Sequence, residues 1–272
     1  MIRLGFSTIA CPSYDVDQVI ALARATGLEG IEIRFLRGTV DIAGLDELSP
    51  GRIGDTRARF EDAGLKVVVI GTSVRMNSLD PAVRAQQLQA ARTGAAIARG
   101  LGAPMLRVFG GPLPPSQDRE ATLDAIASGL GEVADLTANE GVESILETHD
   151  DFSTSASVLD LYARGASDRL GVLWDTLHTH RHGESAAMSW SALGPRVRHV
   201  HVKDSFKADR SGFDFALTGE GTVPVASFVE VLAAAGYDGF LHFEWEKGWH
   251  PEIADAEVAV PHFARAMAGL VR

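Results

Sequence analysis

The sequence predicts an α/β fold, a single (β/α)8 TIM barrel spanning residues 1–272. Three observations lead there. Short β-branched runs alternate with amphipathic stretches of helical length, and eight such units fit within the 272 residues, the arithmetic of a barrel. Strand cores such as VVVIG are near-continuous apolar runs, as expected of parallel strands covered on both faces. No G-x-G-x-x-G follows the first strand, which counts against a doubly wound open sheet, the competing architecture.

The elements follow in order. Strands are predicted at Ile2–Ser7, Gly30–Arg34, Lys66–Thr72, Met105–Phe109, Val142–Glu147, Leu170–Asp175, Val197–Lys203 and Gly239–Glu244. Helices fall between them at Val16–Ala25, Pro81–Gly100, Arg119–Asn139, Thr154–Arg164 and Val225–Ala235, where apolar residues recur at three- and four-residue spacing. Asp80 before Pro81 reads as an N-cap followed by a first-turn proline. Gly27, Gly64, Gly102 and Gly236 each end a helical run just before a strand, the place for a left-handed C-cap. No low-complexity linker or domain boundary interrupts the pattern.

Composition narrows the function. With 46% apolar and 22% charged residues the chain is ordinary globular material. Acidic residues outnumber basic ones 36 to 25, a net charge of −11. That excludes nucleic acid as an expected partner, because such affinity rests on Lys and Arg displacing counterions. Cys11 is the single cysteine, so neither an intrachain disulfide nor a cysteine-rich zinc site is available. MIRLGFSTIA lacks the apolar stretch of a signal peptide, and nowhere do eighteen apolar residues run together. A cytoplasmic protein without a membrane partner is the expectation.

In barrel enzymes the reacting groups sit at the C-terminal ends of the strands. The fifth predicted strand ends SILETHD, with Glu147 at its tip, and the sixth GVLWDTLH, with Asp175 at its tip and His178 just beyond. In VRHVHVKD, alternation puts His199, His201 and Lys203 on one face, and in GFLHFEWE it does the same for His242, Glu244 and Glu246. Four consecutive strands thus each deliver a carboxylate or imidazole: Glu147, Asp175, His201 and Glu244. Three carboxylates converging in a low-dielectric cleft repel one another unless a cation neutralises them. One divalent metal ion is the simplest such cation, and the oxygen-rich set favours Mn²⁺ or Mg²⁺ over Co²⁺ or Zn²⁺.

At these residues the chain resembles the sugar phosphate isomerase/epimerase family, the xylose isomerase-like TIM barrels. The similarity runs from GFSTIACPSYDVDQVIALARATGLEGIEIR to GYDGFLHFEWEKGWHPEI and is most specific at LETHD, WDTLH, HVKD with a later GEG, and FEWE. The resemblance implies that Glu147, Asp175, His201 and Glu244 bind one metal ion, with Glu147 and Glu244 doubling as the catalytic acid/base pair. It also implies that His178 contacts a substrate oxygen. The ketohexose epimerases commonly carry proline after the last glutamate, where this chain has Trp245, and Lys203 looks like the inosose dehydratase branch.

The expected activity is isomerisation or epimerisation of a small sugar, keto-sugar or polyol, by carboxylate-mediated proton transfer through a metal-stabilised enediolate. The alternative is a metal-dependent dehydratase, in which a β-hydroxyl leaves instead. Lys203 is a candidate oxyanion stabiliser or proton donor, with an ion pair to a neighbouring carboxylate as its bland alternative. Arg34 and Arg107 are candidates for binding substrate oxygens or a carboxylate, and Glu32 shares a face with Arg34. Phe109, Trp174, Trp245 and Trp249 are candidates for an apolar wall, and His180 and His182 for a loop over the site. Phosphate recognition is not expected, since no amide nest or Arg/Lys cluster stands out. Relatives often form dimers or tetramers, so a homo-oligomer stays open.

Overall fold

A computed structural model of the chain describes residues 1–271. Its strands are β1 (Arg3–Ser7), β2 (Gly30–Ile33), β3 (Lys66–Arg75), β4 (Met105–Phe109), β5 (Glu143–Glu147), β6 (Gly171–Asp175), β7 (Val197–Val202), β8 (Asp204–Asp209), β9 (Gly212–Ala216) and β10 (Phe240–Phe243). The eight predicted strands all form. They close into a barrel in the order β1–β10–β7–β6–β5–β4–β3–β2, with every neighbouring pair parallel.

Around it lie α1 (Val16–Thr26), α2 (Ile53–Asp62), α3 (Pro81–Leu101), α4 (Arg119–Ala138), α5 (Ser155–Ala163), α6 (Thr176–Arg181), α7 (Ala186–Leu193), α8 (Val225–Ala234) and α9 (Ala256–Ala268). The caps match the sequence expectation. Asp80 accepts a hydrogen bond from the Ala82 amide with Pro81 in the first turn, and Gly102 closes the same helix at φ 72°. No described helix is long and apolar enough to cross a membrane.

Period-two alternation sorts each strand into two environments. Outward residues such as Leu146, Val172, Trp174, Val200, Val202, Leu241 and Phe243 join the large apolar core between strands and helices. Inward residues stack in layers. Val69, Met105, Ile145, Leu173 and Phe240 belong to a separate apolar cluster, the floor of the barrel interior. Two residues on, Ile145 gives way to Glu147 and Leu173 to Asp175. One strand repeat therefore supplies both floor and functional mouth.

The antiparallel hairpin β8–β9 was not anticipated. It interrupts the βα rhythm between β7 and α8, where the sequence analysis placed no element. Its root is Asp204, fully buried. Asp204 Oδ1 accepts from the amides of Ser205 (2.7 Å) and Val223 (3.1 Å), and Oδ2 from those of Gly219 (2.8 Å) and Gly221 (3.0 Å). The HVKD aspartate and the later GEG are thus two halves of one knot. A Cβ at Gly221 would fall 2.2 Å from Asp204 Oδ1, so only glycine admits the carboxylate this closely.

Replacing Asp204 with alanine strips four amides of their acceptor. Asp204→Ala should lower the unfolding free energy in chemical denaturation by about 3 kcal/mol. Asp209→Ala, at the exposed hairpin turn, should stay within about 0.5 kcal/mol of the parent. Equal losses in the two variants would refute the knot.

Candidate metal centre

The four residues at the tips of β5, β6 and β7 and just after β10 meet in the barrel mouth. Glu147, Asp175, His201 and Glu244 are all buried, and one ligand atom from each lies within 4.8 Å of the others. Thr148 fixes the strand ends, its hydroxyl accepting from the Asp175 amide at 2.8 Å.

Each of the four is anchored through one atom and presents another. Glu147 Oε2 accepts from Arg107 Nη1 at 2.7 Å, while Oε1 has no hydrogen-bond partner. Asp175 Oδ1 caps α6 by accepting from the His178 amide at 3.1 Å. Its Oδ2 lies 2.9 Å from Lys203 Nζ but outside hydrogen-bond geometry. His201 Nε2 sits 2.7 Å from Glu32 Oε2, and its Nδ1 is unpartnered, 3.3 Å from Glu244 Oε1. Glu244 Oε2 receives the Lys203 ammonium. Buried polar atoms without partners are rare and costly. Here such atoms from Glu147, Asp175 and His201 face a common point with Glu244 Oε1, an oxygen-rich set that fits a hard or borderline divalent cation.

Opposite charges are packed around the same point. Burial opposes charge on His201, yet Glu244 and Glu32 hold its imidazole well above the usual range. Burial and Glu244 push the Glu147 carboxyl up, but Arg107 and His201 outweigh them and leave it at about 2. Burial raises Asp175 to about 6 although Lys203 pulls the other way. Lys203 is itself fully buried, and despite that burial Asp175, Glu244 and Glu246 keep it firmly ammonium. The ion-pair alternative weighed for Lys203 is therefore realised, at the edge of the centre rather than away from it.

Other sequence candidates separate cleanly. His178 is buried beside the cluster, with both ring nitrogens unpartnered. Burial and Lys203 hold its imidazole well below the usual range, hence neutral. Arg107 is the partner of Glu147, and Arg34 lines the cleft without joining the cluster. Glu32 pairs with His201 rather than with Arg34, so it fixes the orientation of that imidazole. Trp174 and Trp245 are core residues whose indole N–H groups bond Thr179 and the Ala254 carbonyl, so of the two fates open to an aromatic there, core packing and a substrate wall, they take the first. Phe109 and Trp249 do line the cleft. His180 packs on Phe228 of α8, not over the site, a correction that follows from the helical turn it sits on.

Two contributors, His149 and Phe213, went unforeseen. His149 stacks edge-on against His178, with ring centroids 4.7 Å apart, and forms a further cluster with it and Glu147. Its place in LETHD, two residues after Glu147, was a usable signal. Phe213 of the hairpin lies 5.7 Å from the His178 ring and 5.8 Å from Lys203 Nζ, a wall no local pattern could announce. Below the centre, His199 and His242, which alternation already places on the same faces as His201 and Glu244, meet edge to face with ring centroids 4.3 Å apart and all four nitrogens unpartnered.

The cleft over this centre encloses about 420 Å³ and is lined by Arg34, Arg107, Phe109, His149, Glu244 and Trp249 among others. A hollow of about 480 Å³ at the opposite rim, lined by Arg3, Lys66 and Arg198, lies at the N-terminal ends of the strands, the face that serves stability in barrel enzymes.

Comparisons with known proteins agree with this architecture. An inosose dehydratase of Geobacillus thermodenitrificans (strain NG80-2) is 28% identical over 153 residues, covering 50% of each chain. The match thus spans about half the length of such curated relatives. The structure of an L-ribulose 3-epimerase superposes with a TM-score of 0.80 at 23% identity, covering 100% of this chain and 94% of that one. The IOLI protein, solved with a binding zinc atom, gives a TM-score of 0.83 at 17% identity, covering 99% and 98%. Residues 20–265 match the family described as xylose isomerase-like TIM barrel, and with its closed eight-stranded parallel barrel the chain belongs to that family.

Proposed function

We propose that the protein is a divalent-metal-dependent isomerase or epimerase acting on a small sugar, keto-sugar or polyol. The observation that carries this reading is the set of four anchored side chains whose remaining atoms face one point in the barrel mouth. Glu147, Asp175, His201 and Glu244 would hold the ion, and Mn²⁺ or Mg²⁺ suits three carboxylates and one imidazole best. When bound, the ion supplies Lewis acidity toward a carbonyl oxygen and its neighbouring hydroxyl.

The chain's own groups then divide the work. Glu147 and Glu244 approach from strands separated by β6 and β7, which suits one to take a proton from the carbon beside the carbonyl and the other to return one. Return to the opposite face gives epimerisation, and return to the adjacent carbon gives isomerisation. Neutral His178 hydrogen-bonds a substrate oxygen. Lys203 keeps Glu244 charged and in place. Phe109, Phe213 and Trp249 present apolar surface for C–H faces and help exclude water.

A second reading, dehydration, draws on one specific feature. Lys203 sits beside the cluster as a buried ammonium, and Phe213 brings it and His178 under one wall. A fixed cation so placed can stabilise the negative charge that develops on a departing β-hydroxyl oxygen, which neither epimerisation nor isomerisation requires.

The two readings are separated by running a panel of ketoses and keto-polyols in D₂O. Epimerisation or isomerisation should incorporate one deuterium without mass loss, whereas dehydration should release water and give an ultraviolet-absorbing enone or diketone. No exchange and no turnover with any divalent metal would overturn both.

Metal dependence has its own check. Purified protein should bind about one equivalent of Mn²⁺ by elemental analysis, and Glu147→Gln should abolish stoichiometric binding along with activity. Glu32→Gln leaves the ligand set intact but loosens His201, and should weaken metal affinity by about 10- to 100-fold. Full affinity in Glu32→Gln would show that the pair does not orient the ligand.

A further inference from the structure

Among the described residues, the buried cations of the cleft are unequally matched. Lys203 is shared by three carboxylates, and Arg107 is paired with Glu147 at 2.7 Å. Arg34 is only 6% exposed, yet no carboxylate of the described chain lies within the 4.0 Å of an ion pair. Its side-chain hydrogen bond goes to the neutral hydroxyl of Ser73, at 2.8 Å from Nη2. The rings of Trp249 and Phe35 lie 5.7 and 6.0 Å away, weak compensation for a desolvated charge.

Around Gly71 the backbone leaves room for two arginine side chains beside the Glu32 carboxylate, whose Oε1 would lie 2.9 Å from a Cβ there. A Cβ at Gly71 would fall 3.0 Å from Arg107 Nη2 and 3.1 Å from Arg34 Cδ, so the glycine clears the space in which both side chains lie. Burial and the adjacent Arg107 lower Arg34 to about 10, although Glu32, Glu147 and Glu244 act at longer range in the other direction. A fold keeps an unpaired cation next to a like charge at a cost, and an incoming anion removes that cost. Arg34, Ser73, Arg107 and Glu244 line one and the same cavity, so the cation without an ion-pair partner opens onto the same space as the edge of the four-residue cluster.

We propose that this side of the cleft is a carboxylate subsite and that the substrate is a small polyhydroxylated keto acid rather than a neutral sugar. Its carboxylate is received by the Arg34 guanidinium and the Ser73 hydroxyl, and its carbonyl end lies toward Glu147, Asp175, His201 and Glu244. The inference rests on the reading of the cleft as a metal-dependent site and narrows its substrate class. The Arg34 guanidinium and the Ser73 hydroxyl suffice for a planar carboxylate; Arg75 also lines the cleft, so a phosphate is the competing anion and has its own probe in the test.

The test compares three probes of equal carbon-chain length by calorimetry on the Mn²⁺-loaded protein: D-gluconate, D-sorbitol and sorbitol 6-phosphate. Metal content is measured on the same samples, and gluconate is titrated again after EDTA stripping. Gluconate should bind about tenfold or more tighter than sorbitol, and part of that preference should survive stripping. Arg34→Met should bring the two near parity with metal content unchanged. Ser73→Ala, a milder change that spares the buried charge, should cost about threefold for gluconate alone. Parity in the parent protein, a preference that Arg34→Met leaves intact, or tighter binding of sorbitol 6-phosphate would each overturn the subsite. Should the parent take up no metal while its gluconate preference still follows Arg34, the metal reading falls and the carboxylate subsite stands.

Discussion

Three carboxylates and an imidazole buried in the mouth of a closed barrel form an arrangement that opposes itself. Bringing Glu147, Asp175 and Glu244 within ligand distance of one another is unfavourable in a medium that screens charge poorly. The chain answers with its own cations, Arg107 on Glu147 and Lys203 between Asp175 and Glu244. These neutralise Glu147 and Glu244 through their outer oxygens and flank Asp175 at Oδ2, leaving Glu147 Oε1 and Glu244 Oε1 turned inward. The surrounding layers can be understood as support for that geometry: Glu32 behind His201, the α6 amide behind Asp175, and Thr148 tying β5 to β6.

The barrel makes such a centre available because one alternation does two jobs. Inward residues low on β5 and β6 are apolar and close the floor; those two positions higher are polar and make the site. Outward residues on the same strands bind the helices. β7 and β10 depart from this, placing His199 and His242 where their neighbours place hydrocarbon, so the interior beneath the centre stays polar. Electrostatics and packing are therefore coupled through the register of the strands. A slip of one residue would exchange Glu147 for Leu146 and empty the mouth of ligands.

Family membership and local geometry inform different levels of the reading. The match over residues 20–265 establishes the fold family, whose relatives include both dehydratases and epimerases. For this chain we propose that the groups deciding between those outcomes are not the four clustered residues but their neighbours: Lys203, the edge-to-face His149 and His178, and Phe213 reaching in from the hairpin. Arg34 adds a constraint of another kind, since an unmatched buried charge favours one class of ligand whichever way the proton moves.

Much of this was written along the chain. Strand positions, helix caps and the four converging residues followed from periods of two and 3.6, from capping chemistry, and from polar residues at strand tips, because those signals are local. The hairpin, the Asp204 knot and the Glu32–His201 pair were not legible, since each joins segments that meet only when the barrel closes. Glu32 and His201 are 169 positions apart and touch across the interior. Trp174 and Trp245 show the same limit: a tryptophan beside a catalytic motif can face the cleft or the core, and only the strand's orientation within the closed sheet decides. Sequence determined which chemistry each strand could deliver; closure decided which of those groups would meet, because a parallel barrel brings residues together by register around a ring rather than by proximity along the chain.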